Sequence, residues 1–259
     1  MGIINLSPDS FAGDGLSGIE SAVDRAKQMA SEGADIVDVG GESTRPASMP
    51  ISIDEELRRV IPVLEKLAKE ISVPLSIDTY KLEVAREALN AGVNMINDIW
   101  GLKTEPKLAE LAAQRDVPII LMSNQRDISP DHSIAFPDII AVLIADLQRA
   151  IQQALISGVP RENIIIDPGI GFGKTQQQNL EIMRSLEQLE VLRRPVLIGP
   201  SRKSVIGRVL DLPADQRLEG TAAAIAIGIA KGADIVRVHD VKEVSRVCRM
   251  SDAIIRGQA

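Results

Sequence analysis

Apolar residues along the chain fall into two alternating patterns. Short, mostly apolar runs occupy residues 2–4, 35–39, 74–77, 93–97, 117–122, 163–167, 195–199 and 234–238. Runs of this length, bounded by Gly, Pro or a polar residue, read as strands buried on both faces. Between them, residues 17–32, 53–70, 81–91, 107–115, 136–158, 176–189 and 220–231 carry helical periodicity, with a last such segment at 241–255. Strands alternating with helices imply βαβ units and a parallel sheet. Eight such units in 259 residues match an α/β fold of the (β/α)8 TIM-barrel type, read as a single domain over 1–259. A doubly wound open sheet is the structural alternative.

An internal repeat supports the unit structure. Glu32-Gly-Ala-Asp-Ile-Val-Asp38, Ala91-Gly-Val-Asn-Met-Ile-Asn97 and Lys231-Gly-Ala-Asp-Ile-Val-Arg237 share one pattern. In each, a glycine stops a helix in a left-handed cap, and the next strand ends in a polar side chain. The strand ends read Asn5, Asp38, Asp78, Asn97, Met122, Asp167, Ser201-Arg-Lys203 and Arg237-Val-His239. In a barrel, catalytic groups come from the carboxyl ends of several strands. The pattern thus predicts one mouth, with acids deep and bases shallow. A single acid at a strand end is often only a helix N-cap; the mixture carries the inference.

Composition narrows the partners. The net charge is −7, with three Phe, one Trp and one Tyr, which argues against a nucleic-acid partner. Without a run of eighteen apolar residues no membrane span is expected, and the start at Met1 lacks signal-peptide character. The single cysteine, Cys248, excludes an internal disulfide, fits a reducing cytoplasm and reads as a core residue. His132 lies in a polar loop and reads as incidental. Residues 169–175 miss the nucleotide-loop spacing, because Pro168 stands where a glycine would be needed.

The rim chemistry points to a flat heterocycle. Asp78, Asn97 and Asp167 can accept from adjacent N–H donors, as on the amino-pyrimidinone edge of a pterin or guanine, and Lys203 can donate to the ring. Arg237, His239 and Asn5 suit a phosphate, with Asn5 a candidate Mg2+ ligand through its amide oxygen. Heterocycle at one end and phosphate at the other suggest a leaving group between them.

These stretches resemble one family. Met1-Gly-Ile-Ile-Asn-Leu-Ser-Pro-Asp-Ser-Phe11 resembles the first signature of the dihydropteroate synthases, and Asp38-Val-Gly-Gly-Glu-Ser-Thr-Arg-Pro46 the second. Ser76-Ile-Asp-Thr79, Asn97-Asp98, Asp167-Pro-Gly-Ile-Gly-Phe-Gly-Lys174, Gly199-Pro-Ser-Arg-Lys203 and Arg237-Val-His239 continue in the family's order. The resemblance implies a transferase that condenses 6-hydroxymethyl-7,8-dihydropterin diphosphate with p-aminobenzoate, giving 7,8-dihydropteroate and pyrophosphate for folate biosynthesis. It implies a pterin pocket of Asp78, Asn97, Asp167 and Lys203 with Met122 packing on the ring, and Asp38 complementing positive charge on the pterin. Asn5, Arg237, His239, Thr44 and Arg45 would grip the diphosphate, with Mg2+ at Asn5. Phe172, Pro46, Lys203 and Ser201 would flank p-aminobenzoate, Ser201 through its carboxylate. Asp78, Asp167, Lys203, Arg237 and His239 are the catalytic candidates. Sulfonamide inhibition and a homodimer follow from the same resemblance.

The chain departs from the family pattern in three places. Ser123-Asn124 follows Met122 where His is usual, and residues 125–135 match poorly. Asp14 lies one place later than the usual acid of the first loop. The family's lead-in does not precede Met1, so the expectation is either a barrel floor covered differently or a truncated start. A pterin-binding methyltransferase module and a non-catalytic pterin-binding paralogue remain the alternatives.

Overall fold

The apolar runs form parallel strands in a computed structural model that describes residues 1–6, 18–43 and 48–257. Strands β1 (Gly2–Asn5), β2 (Val37–Gly40), β3 (Leu75–Asp78), β4 (Met95–Asp98), β5 (Ile119–Met122) and β6 (Ile164–Asp167) pair in chain order. β7 (Leu197–Ile198) and β8 (Ile235–Val236) form a further parallel pair. Two single parallel bridges join the pieces, Ile166 to Val196 and Gly2 to Val238. Backbone donation from Ile166 to Pro195 (2.9 Å) and from Ile3 to Val238 (3.1 Å) supports them. The strands therefore run round a closed ring, as the alternation of elements predicts, and not across an open sheet.

Helices α1 (Gly18–Ser31), α2 (Ile53–Glu70), α3 (Leu82–Asn90), α4 (Lys107–Arg115), α5 (Ile139–Ile156) and α6 (Gln176–Arg184) follow the first six strands in turn. α7 (Ser204–Leu210) and α8 (Leu218–Ala230) follow β7, and α9 (Val241–Ile255) follows β8. Gly33, Gly92 and Gly232 stand just beyond α1, α3 and α8 at φ +100°, +104° and +94°, the left-handed stop read from the repeat.

Three boundaries differ from the sequence expectation. α5 begins at Ile139, because Asp138 caps it by accepting from the Ala141 N–H (2.9 Å). The segment after β6 breaks at Ser185, and Leu186–Leu192 tighten into a 3-10 turn that buries Leu186 and Leu189. α7 was not expected at all; its seven residues are too few for the apolar period to register. α5 is long and apolar enough to match a membrane span by length and composition. Its buried residues, among them Leu143, Leu147, Ala150 and Ala154, belong to the barrel's main core, and it packs on β5 and β6.

The strand period of two sorts the interior. Side chains alternate across a strand, so every second residue points into the ring. Met95, Ile120, Ile165, Leu197 and Ile235, with Met1 and Ile36, form one apolar cluster inside it. Two residues further along the same strands stand Asn97, Met122, Asp167 and Arg237. The alternate set, including Ile4, Val37, Val39, Ile77, Ile96, Ile119, Ile164 and Ile166, packs outward against the helices. An apolar plug below therefore dictates a polar mouth above it.

Candidate active site

The mouth is organised around one guanidinium. Arg237, immediately after β8, donates from Nε to Asp38 Oδ2 (2.6 Å) and from Nη2 to Asp78 Oδ2 (2.7 Å). Asn97 Nδ2 reaches the same Asp38 oxygen at 3.2 Å. Parallel register sets this up, since Asp38 pairs with Ser76, and Asp78 pairs with Gly40 and Asn97. Four strands thus bring their polar ends to one cluster. Asp38 is fully buried, and its Oδ1 has no hydrogen-bond partner among the described residues. The expectation of shallow bases fails here. Arg237 sits among the acids because two buried carboxylates need a counter-charge.

Burial pushes the Asp78 carboxyl up to about 7, while Arg237 pulls it down and Asp38 and Glu56 raise it. Burial also works to lower Arg237, but Asp38 and Asp78 outweigh it and hold the guanidinium above its ordinary value. Asp167 is raised by burial, against the opposing pull of Lys203 and of the Gly169 N–H, which its Oδ1 accepts at 2.6 Å. Burial brings Lys203 down to about 8, with Asp167 resisting. Asp78, Asp167, Lys203 and Arg237 thus share one electrostatic neighbourhood.

The loop after β6 forms one wall. Gly169, Gly171 and Gly173 all have positive φ. A Cβ on Gly173 would lie 2.2 Å from the Gln125 carbonyl carbon, so only glycine lets this loop lie against the one after β5. Lys174 closes the loop from beneath. It is buried, and its Nζ donates to the carbonyls of Ser123 (2.7 Å), Gly169 (3.0 Å) and Phe172 (3.0 Å). That is a structural clamp and not a phosphate lysine. Burial pushes its ammonium down to about 7. Phe172 is held with Ile99 and Met122 in a small apolar cluster flanked by Tyr80 and Trp100. Lys203 Nζ lies 4.5 Å from the Phe172 ring centroid and donates to the Ile170 carbonyl at 2.6 Å.

Ser201 and His239 form a second pair at the mouth, Oγ to Nδ1 at 3.1 Å, and the His239 N–H reaches Ser201 Oγ at 3.2 Å. Asn5, half-buried at the end of β1, is in register with Gly40. Thr44, Arg45, Pro46 and Asp14 lie outside the described residues. What holds the second loop was not foreseen from the sequence. Lys81 Nζ bridges Glu42 and the buried Glu56, both at 2.6 Å, and Tyr80 Oη donates to Glu42 at 2.8 Å. The only sequence signal was a charged run in 54–59, which reads as solvated. Ser123, in place of the usual His, donates to Asp146 at 2.8 Å and so ties the β5 loop to α5.

The model of a family described as pterin binding enzymes matches residues 1–239. The chain is 50% identical over 256 residues to a dihydropteroate synthase of Bacillus subtilis, covering 98% of this chain and 88% of that protein. A dihydropteroate synthase of Clostridium beijerinckii is 49% identical, with 99% and 94% covered. Among solved structures, a Clostridium difficile dihydropteroate synthase crystallised with pteroic acid superposes at TM-score 0.93 and 48% identity, covering 99% of this chain and 96% of that one. A Yersinia pestis dihydropteroate synthase in complex with a sulfonamide drug gives TM-score 0.93 at 39% identity, with 98% and 93% covered.

The electrostatics yield a direct test. Arg237→Met removes the charge that favours ionised Asp78, so the Asp78 titration should rise from about 7 by roughly one pH unit or more. Carboxyl-labelled aspartate NMR, with Asp78→Asn as the assignment control, reads it. An unmoved or lowered midpoint would show that the guanidinium does not govern Asp78.

Proposed function

Because the chain belongs to the pterin-binding enzyme family, we propose that this mouth holds a dihydropterin over the acid–guanidinium cluster while a diphosphate departs toward its rim. The protein is a transferase of folate biosynthesis that makes dihydropteroate, a target class for sulfonamides. The observation that carries the reading is the convergence of Asp38, Asp78, Asn97 and Arg237 at hydrogen-bonding distance above the apolar plug. Asp78 and Asp167 offer carboxylates to the pterin's N–H edge, which can each accept two parallel donors. Asn97 and Lys203 complete that contact, and Met122 and Phe172 supply the apolar side of the slot. Ser201, Phe172 and Lys203 border the place where p-aminobenzoate enters.

The chemistry needs no nucleophilic side chain. An arylamine is a weak nucleophile, so the carbon it attacks must first become electron-poor. Loss of pyrophosphate leaves a cation spread over the pterin, and Asp38, Asp78 and Asp167 lie where they stabilise positive charge as it grows. Arg237 and His239, with Thr44 and Arg45, draw the departing diphosphate away. Such preorganised contacts are each worth on the order of 10²–10³ in rate. Asn5 is the protein ligand we assign to Mg2+. Its amide oxygen is a hard donor, and no cluster of three His, Cys, Asp or Glu stands among the described residues. That donor set fits an ion held mostly by substrate phosphates and water. When bound, Mg2+ would neutralise charge building on the leaving group.

A homodimer built on α8 and α9 and a cytoplasmic location complete the proposal. α8 is apolar nearly all round, and Ile227, Met250 and Ile254 are exposed on these two packed helices. Light scattering should give twice the 27.9 kDa chain mass, and a monomer at micromolar concentration would refute the dimer.

Incubation with dihydropterin diphosphate, p-aminobenzoate and Mg2+ should release pyrophosphate and dihydropteroate in equal amounts. Binding of both substrates without product would overturn the catalytic reading. Asp78→Asn should weaken pterin binding about 10–100-fold by calorimetry, the loss of a charge-assisted contact. Because free Asp78 protonates near 7, wild-type affinity should fall as pH drops below that point while the variant stays flat. Parallel profiles for the two proteins would remove Asp78 from the pterin contact.

A further inference from the structure

Between Ser201 and Lys203 stands Arg202, whose side chain crosses to the loop after β8. Its Nε donates to Asp240 Oδ2 at 3.0 Å and its Nη2 to Asp240 Oδ1. This is a two-bond fork on the carboxylate that directly follows His239. Beside it the Ser201–His239 pair bridges the same two loops, Ser201 Oγ accepting from the His239 N–H (3.2 Å) and meeting Nδ1 (3.1 Å). Adjacent residues of one loop thus grip adjacent residues of the other. The grip is anchored from outside the mouth. The Arg202 N–H donates to Thr221 Oγ1 of α8 (3.2 Å), and Arg217 Nη1 donates to the Arg202 carbonyl (2.8 Å). On the other side, Arg25 Nη2 of α1 donates to the His239 carbonyl (3.0 Å).

Two local preferences are given up to make the fork. Arg202 adopts φ +57°, the left-handed region that residues other than Gly, Asn and Asp seldom enter. Asp240 is the N-cap residue of α9, where an aspartate ordinarily accepts from the first N–H groups of the helix, yet its side chain makes no cap bond. Its carboxylate is turned to the guanidinium instead. A left-handed arginine and a forgone cap meeting in one ion pair point to a demand of the site and not of local folding. The demand is a fixed spacing. Ser201 and Lys203 serve the pterin and the arylamine in the reaction proposed above, whereas Arg237 and His239 draw off the diphosphate. Both sets act on one carbon, and a misplacement of about 1 Å between them can cost on the order of 10²-fold in rate.

We propose that Arg202 and Asp240 are positioning residues: their fork fixes the β7 loop against the β8 loop, so that Ser201 holds the His239 ring where it meets the departing diphosphate. The role rests on the synthase reading, but its first readout is not activity. If wild-type protein makes no product, that reading falls, and the His239 ring signal still tests the fork.

The variants are Arg202→Asn, Asp240→Asn and the two combined, with Ser201→Ala as the reference for a broken Ser201–His239 contact. Asparagine tolerates the left-handed region and serves as an N-cap, so each substitution deletes the fork without offending the local backbone. The contacts of the Arg202 backbone with Thr221 and Arg217 do not depend on its side chain. The chain has two histidines, so imidazole nitrogen-15 NMR with His132→Gln as assignment control isolates His239. All three fork variants should move the His239 Nδ1 resonance most of the way from its wild-type position to its Ser201→Ala position. Each single variant should lose roughly 10–100-fold in kcat. The double variant should lose no more than about 3-fold beyond either single one, because the two residues act as a unit. Affinity for free pterin, read by calorimetry, should change less than about 3-fold, since Asp78, Asn97 and Asp167 are untouched. A His239 resonance left at its wild-type position, or unchanged turnover, in the single variants would overturn the proposal. So would kcat losses that multiply in the double variant. Equal losses in kcat and in free-pterin affinity would reduce the fork to a general brace of the mouth and overturn it as well.

Discussion

The cluster in which Arg237 bridges Asp38 and Asp78 is the constraint the site depends on. Two carboxylates at neighbouring strand ends, one of them fully buried, would repel each other and pay heavily for lost hydration. The guanidinium offsets both effects with bonds of 2.6 and 2.7 Å. Removing one partner from such a buried arrangement costs about 3–5 kcal/mol, because the charge left behind is uncompensated. The cluster also joins β2 and β3 to β8, across the segment where strand pairing is reduced to a single bridge. Burial, against the downward pull of Arg237, leaves the Asp78 carboxyl raised to about 7.

The surrounding structure serves that cluster. The period of two along each strand places Met95, Ile120, Ile165, Leu197 and Ile235 as a dry base beneath it. A dry base leaves water only one way in, through the mouth, where the lowered effective dielectric strengthens every charge contact. The wall loops are fixed by cations working on backbone carbonyls and acids: buried Lys174 on the Phe172 carbonyl, and half-buried Lys81 between Glu42 and Glu56. These lysines bind no substrate in this account. Lys174 holds still the segment that carries Phe172.

Much of this was legible in the sequence, for a definite reason. Asp38, Asp78, Asn97 and Asp167 lie in or close short, mostly apolar runs, so their place on strands follows from local pattern alone. The helix stops at Gly33, Gly92 and Gly232 are equally local. The Arg237 pairing was not legible, since its partners lie 199 and 159 residues away, and charge alone suggested a shallow phosphate grip. α7 escaped because one or two turns carry no readable period. Arg202 and Lys174 sit in loops, where a side chain's role depends on which other loop lies against it. The glycines at 169, 171 and 173 hint at close approach but do not name the neighbour.

The central claim is that acids, amide and guanidinium from β2, β3, β4, β6 and β8 surround one slot made for a pterin. A crystal structure with a bound dihydropterin tests it most directly. The account predicts the ring above Met122, its N–H edge on Asp78, Asn97 and Asp167, and its substituted carbon facing Phe172 and Ser201. A pterin bound away from Asp78 and Asp167, or held by only one of them with the other turned to a different cavity, would contradict it.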